Sequence, residues 1–292
     1  MNIVGRRYWW FTLSLIFIIP GLISLFVQGL NQGIDFKGGS IFDLSFQKTV
    51  EQKALRSTLD KFNLGSDAVI QVSDNKKSAL IRTKSVSQET RGKLIDALQE
   101  EFGTVKVVAE DKVDPVIASD LLKNAVIALG VASLLIMFYI AFRFSDFKFG
   151  IAAIIAVLHD ALVVLGLFSI FRWEVDSSFV AAILTIIGYS IMDTIVIFDR
   201  IRENLNKKKK EETFEVIVNN SILQTITRSV NTVLTVIFML AALIIFGGGT
   251  TSKFVIALLI GVISGAYSSI FNASPLWVEF KKWEQKKKTR TA

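Results

Sequence analysis

The chain has 292 residues, of which 51% are hydrophobic and 20% charged, with a formal net charge of +7. Its mean hydropathy of +0.49 is more than a water-soluble core of this size can hide, so a bilayer must take part of it and the charge must fall into blocks. The absence of cysteine excludes disulfides, thiolate metal sites and cysteine nucleophiles, and a single histidine, His159, excludes a multi-histidine metal site.

A helix needs roughly 20 mainly apolar residues to cross the hydrocarbon core of a membrane. Residues 1–28 read as a short tail and a first span over 8–27. Arg6 and Arg7 precede it, as in a secretory signal. The apolar run is too long for a signal core, however, and Gln28-Gly29-Leu30-Asn31 offers no small-x-small cleavage site, so it reads as an uncleaved anchor.

Residues 29–120 have the composition of a soluble domain. Residues 41–46 alternate apolar and polar, and 50–62 carry helical spacing through Val50, Ala54, Leu55, Leu59 and Phe62. Two more alternating runs, 68–72 and 79–82, flank a turn-rich stretch, a spacing that predicts a hairpin. Ser87 is a candidate cap for a helix that repeats Leu94, Leu98 and Phe102 on one face, and 104–108 closes the series. This βαββαβ order predicts a small ferredoxin-like α+β domain. No cluster of its charges looks catalytic, which favours a docking or polypeptide-contacting role over an enzyme; the fold itself identifies no function.

Residues 121–273 hold five further spans, at 121–142, 149–171, 179–198, 222–246 and 254–271, and 274–292 read as a basic tail. The expected fold class is thus a polytopic α-helical membrane protein with six spans and one inserted domain. Seventeen Lys and Arg flank the spans on the side of the N-terminus, against only Arg172 and Lys253 in the short loops opposite. By the positive-inside rule both termini are cytoplasmic and the inserted domain is extracytoplasmic. The run Lys207 to Lys210 then reads as a solvated inward loop near anionic membrane lipid, not as a nucleic-acid site. Trp9, Trp10, Trp173, Trp277 and Trp283 lie near span ends, where interfacial aromatic anchors belong.

Ionisable residues inside the spans carry the functional reading, because each costs about 2.5–3.5 kcal/mol at a helix centre on insertion scales. Asp160 lies mid-span beside His159, and the roughly 100° between neighbouring helical residues argues against both acting on one atom. Asp193 lies six residues before Asp199, about 9 Å from the end of its helix, and Arg228 sits at a similar depth in the next span. An Asp alternately paired with Arg and with H⁺ is a proton relay; a static salt bridge fixing helix register is the other reading. Ser190, one turn before Asp193, is placed to hydrogen-bond to it, and Asp160 is the weaker relay candidate. Gly188, Gly261 and Gly265 are expected to permit close helix packing, and Gly247 to Gly249 an external turn. No Walker A, HExxH or GxSxG pattern is present, so no catalytic site and no cofactor is expected.

The run from Gly188-Tyr189-Ser190-Ile191-Met192-Asp193 to Asp199-Arg200-Ile201-Arg202-Glu203-Asn204 closely resembles the fourth-span signature of the SecD/SecF family. Gly33-Ile34-Asp35-Phe36-Lys37-Gly38-Gly39, Leu158-His159-Asp160 and Gln224-Thr225-Ile226-Thr227-Arg228 are similar to its other motifs, and the likeness covers nearly the whole chain. The resemblance implies an RND-superfamily membrane fold in the bacterial cytoplasmic membrane, paired with SecD. It also implies work with the SecYEG channel, after SecA, in drawing a translocating preprotein outward by the proton motive force. Carried over, it makes Asp193 the proton-linked carboxylate and Arg228 its cationic neighbour. Met192 departs from the family's usual Asn, and Val113-Asp114-Pro115 from its frequent Val-Gly-Pro, which predicts a stiffer entry to the second span. Two other function classes are an RND-type exporter of a small molecule or lipid and a non-transporting scaffold.

Overall fold

The computed structural model describes residues 1–66, 68–73, 75–144, 146–208, 212–246 and 251–291. The glycines 247–249 and Lys209 and Lys210 lie outside the described residues. The chain divides into two compact units, Met1–Asn31 with Ile127–Ala292, and Gln32–Val126.

The smaller unit begins at the glycine-rich motif. A single helical turn, Ile34–Lys37, ends at Gly38, whose φ of 75° lies in the left-handed region where glycine is favoured. At Gly39 (φ 150°) a Cβ would lie 2.5 Å from the Thr83 carbonyl oxygen, so the backbone passes there only because no side chain is present. Strand β1 (Gly39–Phe46) follows, then helix α2 (Gln52–Asp60), β2 (Val69–Val72), β3 (Ser78–Thr83), α3 (Gln88–Phe102) and β4 (Val105–Val113). The four strands form one antiparallel sheet in the order β2-β3-β1-β4, the βαββαβ arrangement that the alternation predicts. Phe42, Leu44 and Phe46 of β1 pack with Ile70, Ala79, Ile81 and Val105 beneath Leu55 and Leu59 of α2 and Leu94 and Leu98 of α3. Ser87 does cap α3, accepting the Thr90 N–H at 3.2 Å. Where a glycine was the family's pattern, Asp114 accepts the Val116 N–H at 2.9 Å and starts the next helix.

Among the described residues six helices are long and apolar enough to cross a membrane. They are α1 (Arg7–Gln28), α4 (Pro115–Phe144), α5 (Phe147–Ile170), α6 (Ser177–Asn206), α7 (Phe214–Phe246) and a composite sixth. The sixth runs as α8 (Ser252–Ser268), a π-helical turn (Ser269–Ala273) and α9 (Ser274–Thr291). Asp146 and Asp176 cap α5 and α6 by accepting the N–H groups of Lys148 and Phe179.

Small residues decide how closely these helices approach. Ala152, Ala153 and Ala156 bury one face of α5. At Gly21 of α1 and Gly166 of α5 the backbones meet, since a Cβ on either would lie 2.7 Å from the other's Cα. Gly261 and Gly265 of α8 admit Ile186 and Ser190 of α6 in the same way. Gly188 does not serve this purpose: open space surrounds it, because it points away from the α6–α8 seam.

The basic segment after residue 273 is a helix packed on the bundle, not a tail. Trp277 and Val278 are fully buried, and the Trp277 ring stacks on Phe149 at 4.7 Å. Lysines ring this seat: Lys281 pairs with Asp146 at 2.8 Å and Lys148 with Glu284 at 3.0 Å, while Lys282 pairs with Glu215 and Arg7 with Glu279. Partial burial pushes the Asp146 carboxyl up, but hydrogen bonds from Lys281 and the Lys148 amide, with both lysine charges, hold it below the usual carboxylate value. Ile3 and Val4 are tucked in, their N–H groups bonded to Asn219 of α7. Trp277 is therefore a core residue; Trp9 and Trp283 are exposed, as anchors would be.

Candidate functional site

Two carboxylates, Asp160 and Asp193, lie within the apolar stretches of the spans, and their surroundings differ. Asp160 of α5 has no exposed surface. Its Oδ1 accepts from Ser264 Oγ at 2.7 Å and faces His159 Nδ1 at 3.0 Å, and its Oδ2 accepts from Ser190 Oγ at 2.6 Å and Ser268 Oγ at 2.8 Å. All four lone-pair directions of the carboxylate are occupied. Ser190 thus serves Asp160 and not Asp193: it faces α8 through the gap at Gly265, while Asp193, three residues on, is turned towards α7. His159 and Asp160 also meet directly, because the imidazole is long enough to bend back towards its neighbour's carboxylate despite the 100° between their Cβ directions.

Asp193 of α6 is half-buried and has one hydrogen-bond donor among the described residues, Ser229 Oγ of α7 at 2.7 Å. Its Oδ2 is buried with no hydrogen-bond partner among the described residues. The depth argument holds to within one residue, since Ser229 adjoins Arg228. Among the described residues no ion pair within 4.0 Å joins Arg228 to Asp193, however. The Arg228 side chain is exposed and lines an open vestibule of about 260 Å³ between α6 and α7, together with Asp199, Arg200, Glu203, Gln224 and Thr225. Asp199 is paired with Arg143 at 3.0 Å and Arg200 with Glu203 at 2.8 Å. Tyr189, one turn before Asp193, packs among Val233 and Leu259 with its hydroxyl buried and without a hydrogen-bond partner among the described residues.

A carboxylate held by one oxygen and bare at the other can take a proton on the bare oxygen without first breaking a bond. A carboxylate saturated by four donors cannot. Among the described residues Asp193 keeps one oxygen clear of any donor, whereas Asp160 has none clear. Gly33, Asp35, Gly38 and Gly39 belong to the smaller unit and shape its first turn. Met192 is exposed on the outer face of α6, so the amide that it replaces in the family's pattern would point away from the Ser229 contact. Among the described residues no group of His, Asp and Glu could hold a metal ion.

Sequence reasoning missed Ser14, Ser229, Ser264, Ser268 and Asn272. For α8 a signal existed: Gly261, Ser264, Gly265 and Ser268 repeat at helical spacing and mark one small, polar face.

Comparison with known proteins agrees with this architecture. The family described as protein export membrane protein SecD/SecF, C-terminal, matches residues 93–283, and the SecD/SecF GG motif matches residues 23–50. The chain is 44% identical to the protein translocase subunit SecF of Thermobaculum terrenum, over 98% of this chain and 95% of that one. It is 38% identical to the protein translocase subunit SecDF of Bacillus subtilis, covering 98% of this chain but 39% of the relative. Among solved structures, SecDF from Thermus, described as a translocon-associated membrane protein, superposes with a TM-score of 0.87 at 36% identity. That match covers 97% of this chain and 39% of the solved one, so the chain spans about two fifths of the SecDF proteins. The chain belongs to the SecD/SecF family of protein-export membrane proteins.

Proposed function

We propose that this chain is a membrane subunit of the Sec translocase that works with a SecD partner to promote export of preproteins through the SecYEG channel, after SecA, driven by the proton motive force. The SecDF relatives support the partnership, because their single chains are more than twice as long and this chain matches one part of them. In this reading both termini face the cytoplasm and the smaller unit stands outside, where it meets the emerging polypeptide.

One observation carries the mechanism. Asp193 is held by Ser229 through one oxygen only, its other oxygen is buried and bare, and the neighbouring Arg228 opens onto a water-accessible vestibule. Ionised, the carboxylate is stabilised by the charge of Arg228 across the vestibule; protonated on Oδ2, it releases α7 from that attraction. About 2.3 kcal/mol is available per charge per 100 mV, enough for one proton to bias two arrangements of α6 and α7. Asp199 and Glu203 at the mouth are placed to exchange the proton with water. Asp160 and Ser190 hold α6 against α5 and α8 while this happens.

The test is Asp193→Asn in a strain that exports a reporter preprotein. We expect the protein to assemble and the response of export to the proton gradient to disappear. Unaltered dependence on the gradient, with normal protein levels, would sink the assignment and favour a static register-setting role.

A further inference from the structure

His159 is the chain's only histidine, and the mechanism above does not use it. It is nearly buried, and both ring nitrogens are engaged: Nδ1 with Asp160 at 3.0 Å and Nε2 with Ser14 Oγ of α1 at 3.0 Å. Ser190 and Ser264 find their only hydrogen-bond acceptor among the described residues in Asp160. Those hydroxyls therefore donate and Asp160 accepts, which leaves the proton of the His159–Asp160 contact on the Nδ1 of the imidazole.

The other nitrogen is undetermined, and what surrounds it is suited to both possibilities. Ser14 Oγ accepts from Asn272 Nδ2 at 2.8 Å and lies 3.4 Å from the Tyr267 hydroxyl, and that hydroxyl donates its own proton to the Trp10 carbonyl at 2.6 Å. Ser14 thus has one proton and two acceptors. With a neutral ring, Ser14 donates to Nε2. When a proton from water binds Nε2, that nitrogen donates to Ser14, and the Ser14 hydroxyl turns to donate to Tyr267. His159, Ser14 and Tyr267 keep hydrogen bonds in both states and only one hydroxyl hydrogen moves, while Asn272 Oδ1 is buried with no hydrogen-bond partner among the described residues in either. Ser14 and Tyr267 meet the ring, Asn272 bonds to Ser14, and Ser190, Ser264 and Ser268 bond to Asp160; all six are uncharged groups from α1, α6, α8 and the π turn. Among the described residues Asp160 is the only carboxyl in hydrogen-bond contact with it, and Tyr267, stacked at 5.9 Å, is the only other titratable side chain in the network.

We propose that His159, anchored by Asp160 and read by the Ser14 hydroxyl, is a second, reversible proton-binding site in the core of the membrane unit, separate from Asp193. It does not depend on the Asp193 assignment, because it rests on other residues and α7 contributes nothing to it.

The single histidine makes the test direct. The full chain, purified without a polyhistidine tag and labelled with ¹⁵N-histidine, is placed in nanodiscs of phosphatidylethanolamine and phosphatidylglycerol. Its two ring-nitrogen signals are then followed by solid-state NMR between roughly pH 5 and pH 10, the range in which a histidine near its ordinary affinity or moderately stabilised would titrate. We expect one transition, from two N–H nitrogens to a neutral ring protonated at Nδ1 alone. Tyr267→Phe deprives Ser14 of its second acceptor, and loss of one hydrogen bond should weaken proton binding by about tenfold. Ser14→Ala, a smaller change, serves as the second variant and should also shift the midpoint. A ring that stays neutral, or stays charged, over the whole range in the unaltered protein overturns the proposal. A normal transition that both variants leave unmoved overturns the part assigned to Ser14. Loss of gradient-dependent export in Asp193→Asn, with this titration unchanged, is the expected sign that the two sites are separate.

Discussion

A methyl group on Gly166 would meet the Gly21 Cα at 2.7 Å, whereas one on Gly188 would meet nothing within 4 Å. Gly166→Ala must push α1 from α5, and overpacking of this kind costs about 1–3 kcal/mol. Gly188→Ala should stay within about 0.5 kcal/mol, as substitutions away from packed contacts do. Thermal unfolding in detergent, followed by tryptophan fluorescence, would separate the two; equal effects would contradict the packing described. Neither glycine announces its role in sequence. Gly188 stands in a motif and is open, while Gly166 stands in no motif and is closed upon, because helix contacts depend on which faces the bundle brings together. Asp160 and Asp193 were legible, since a carboxylate in an apolar run is conspicuous. Of their serine donors only Ser190 was singled out, and for the other carboxylate; the rest were not, because a serine inside a span most often bonds to its own helix's carbonyl, as Ser133 does to Leu129 here.

Among whole elements, hydropathy found every spanning helix, and alternation with period two found the strands of the smaller unit. It failed at α9, whose lysines read as a solvated tail. The buried face of α9 is narrow, formed by Trp277 and Val278 before the charge begins, so lysines closing ion pairs with Asp146 and Glu215 look the same in sequence as lysines in water. Trp277→Ala should cost about 3–5 kcal/mol by emptying the seat against Phe149. Lys286→Ala should cost under about 0.5 kcal/mol. Proteolysis between α8 and α9 in detergent would report both, and a Trp277→Ala protein as resistant as the unaltered one would show that the stack does not hold α9.

At the level of the whole molecule the expected sidedness rests on the distribution of Lys and Arg, and the chain offers a clean way to check it. It has no cysteine, so Lys53→Cys in α2 and Lys286→Cys in α9 would each be the only thiol present. In intact spheroplasts a membrane-impermeant maleimide should label the first and spare the second, and lysis should expose both. The reverse pattern would invert the topology. The need for a partner is less legible than the topology, since an apolar helix face looks the same whether lipid or protein covers it. Here it came from the family, whose fused members carry the additional length. Asp160 adds a mechanical consequence. Short bonds converge on it from α6 and α8, and through His159 from α1, near the middle of α5. Sliding α5 along its axis would break several bonds at once, whereas tilting about that point breaks none. With a half-length of about 18 Å, twelve residues at 1.5 Å each, a tilt of about 5° would carry a helix end about 1.5 Å. The carboxylate is a fulcrum, and travel should be greatest at the membrane surfaces.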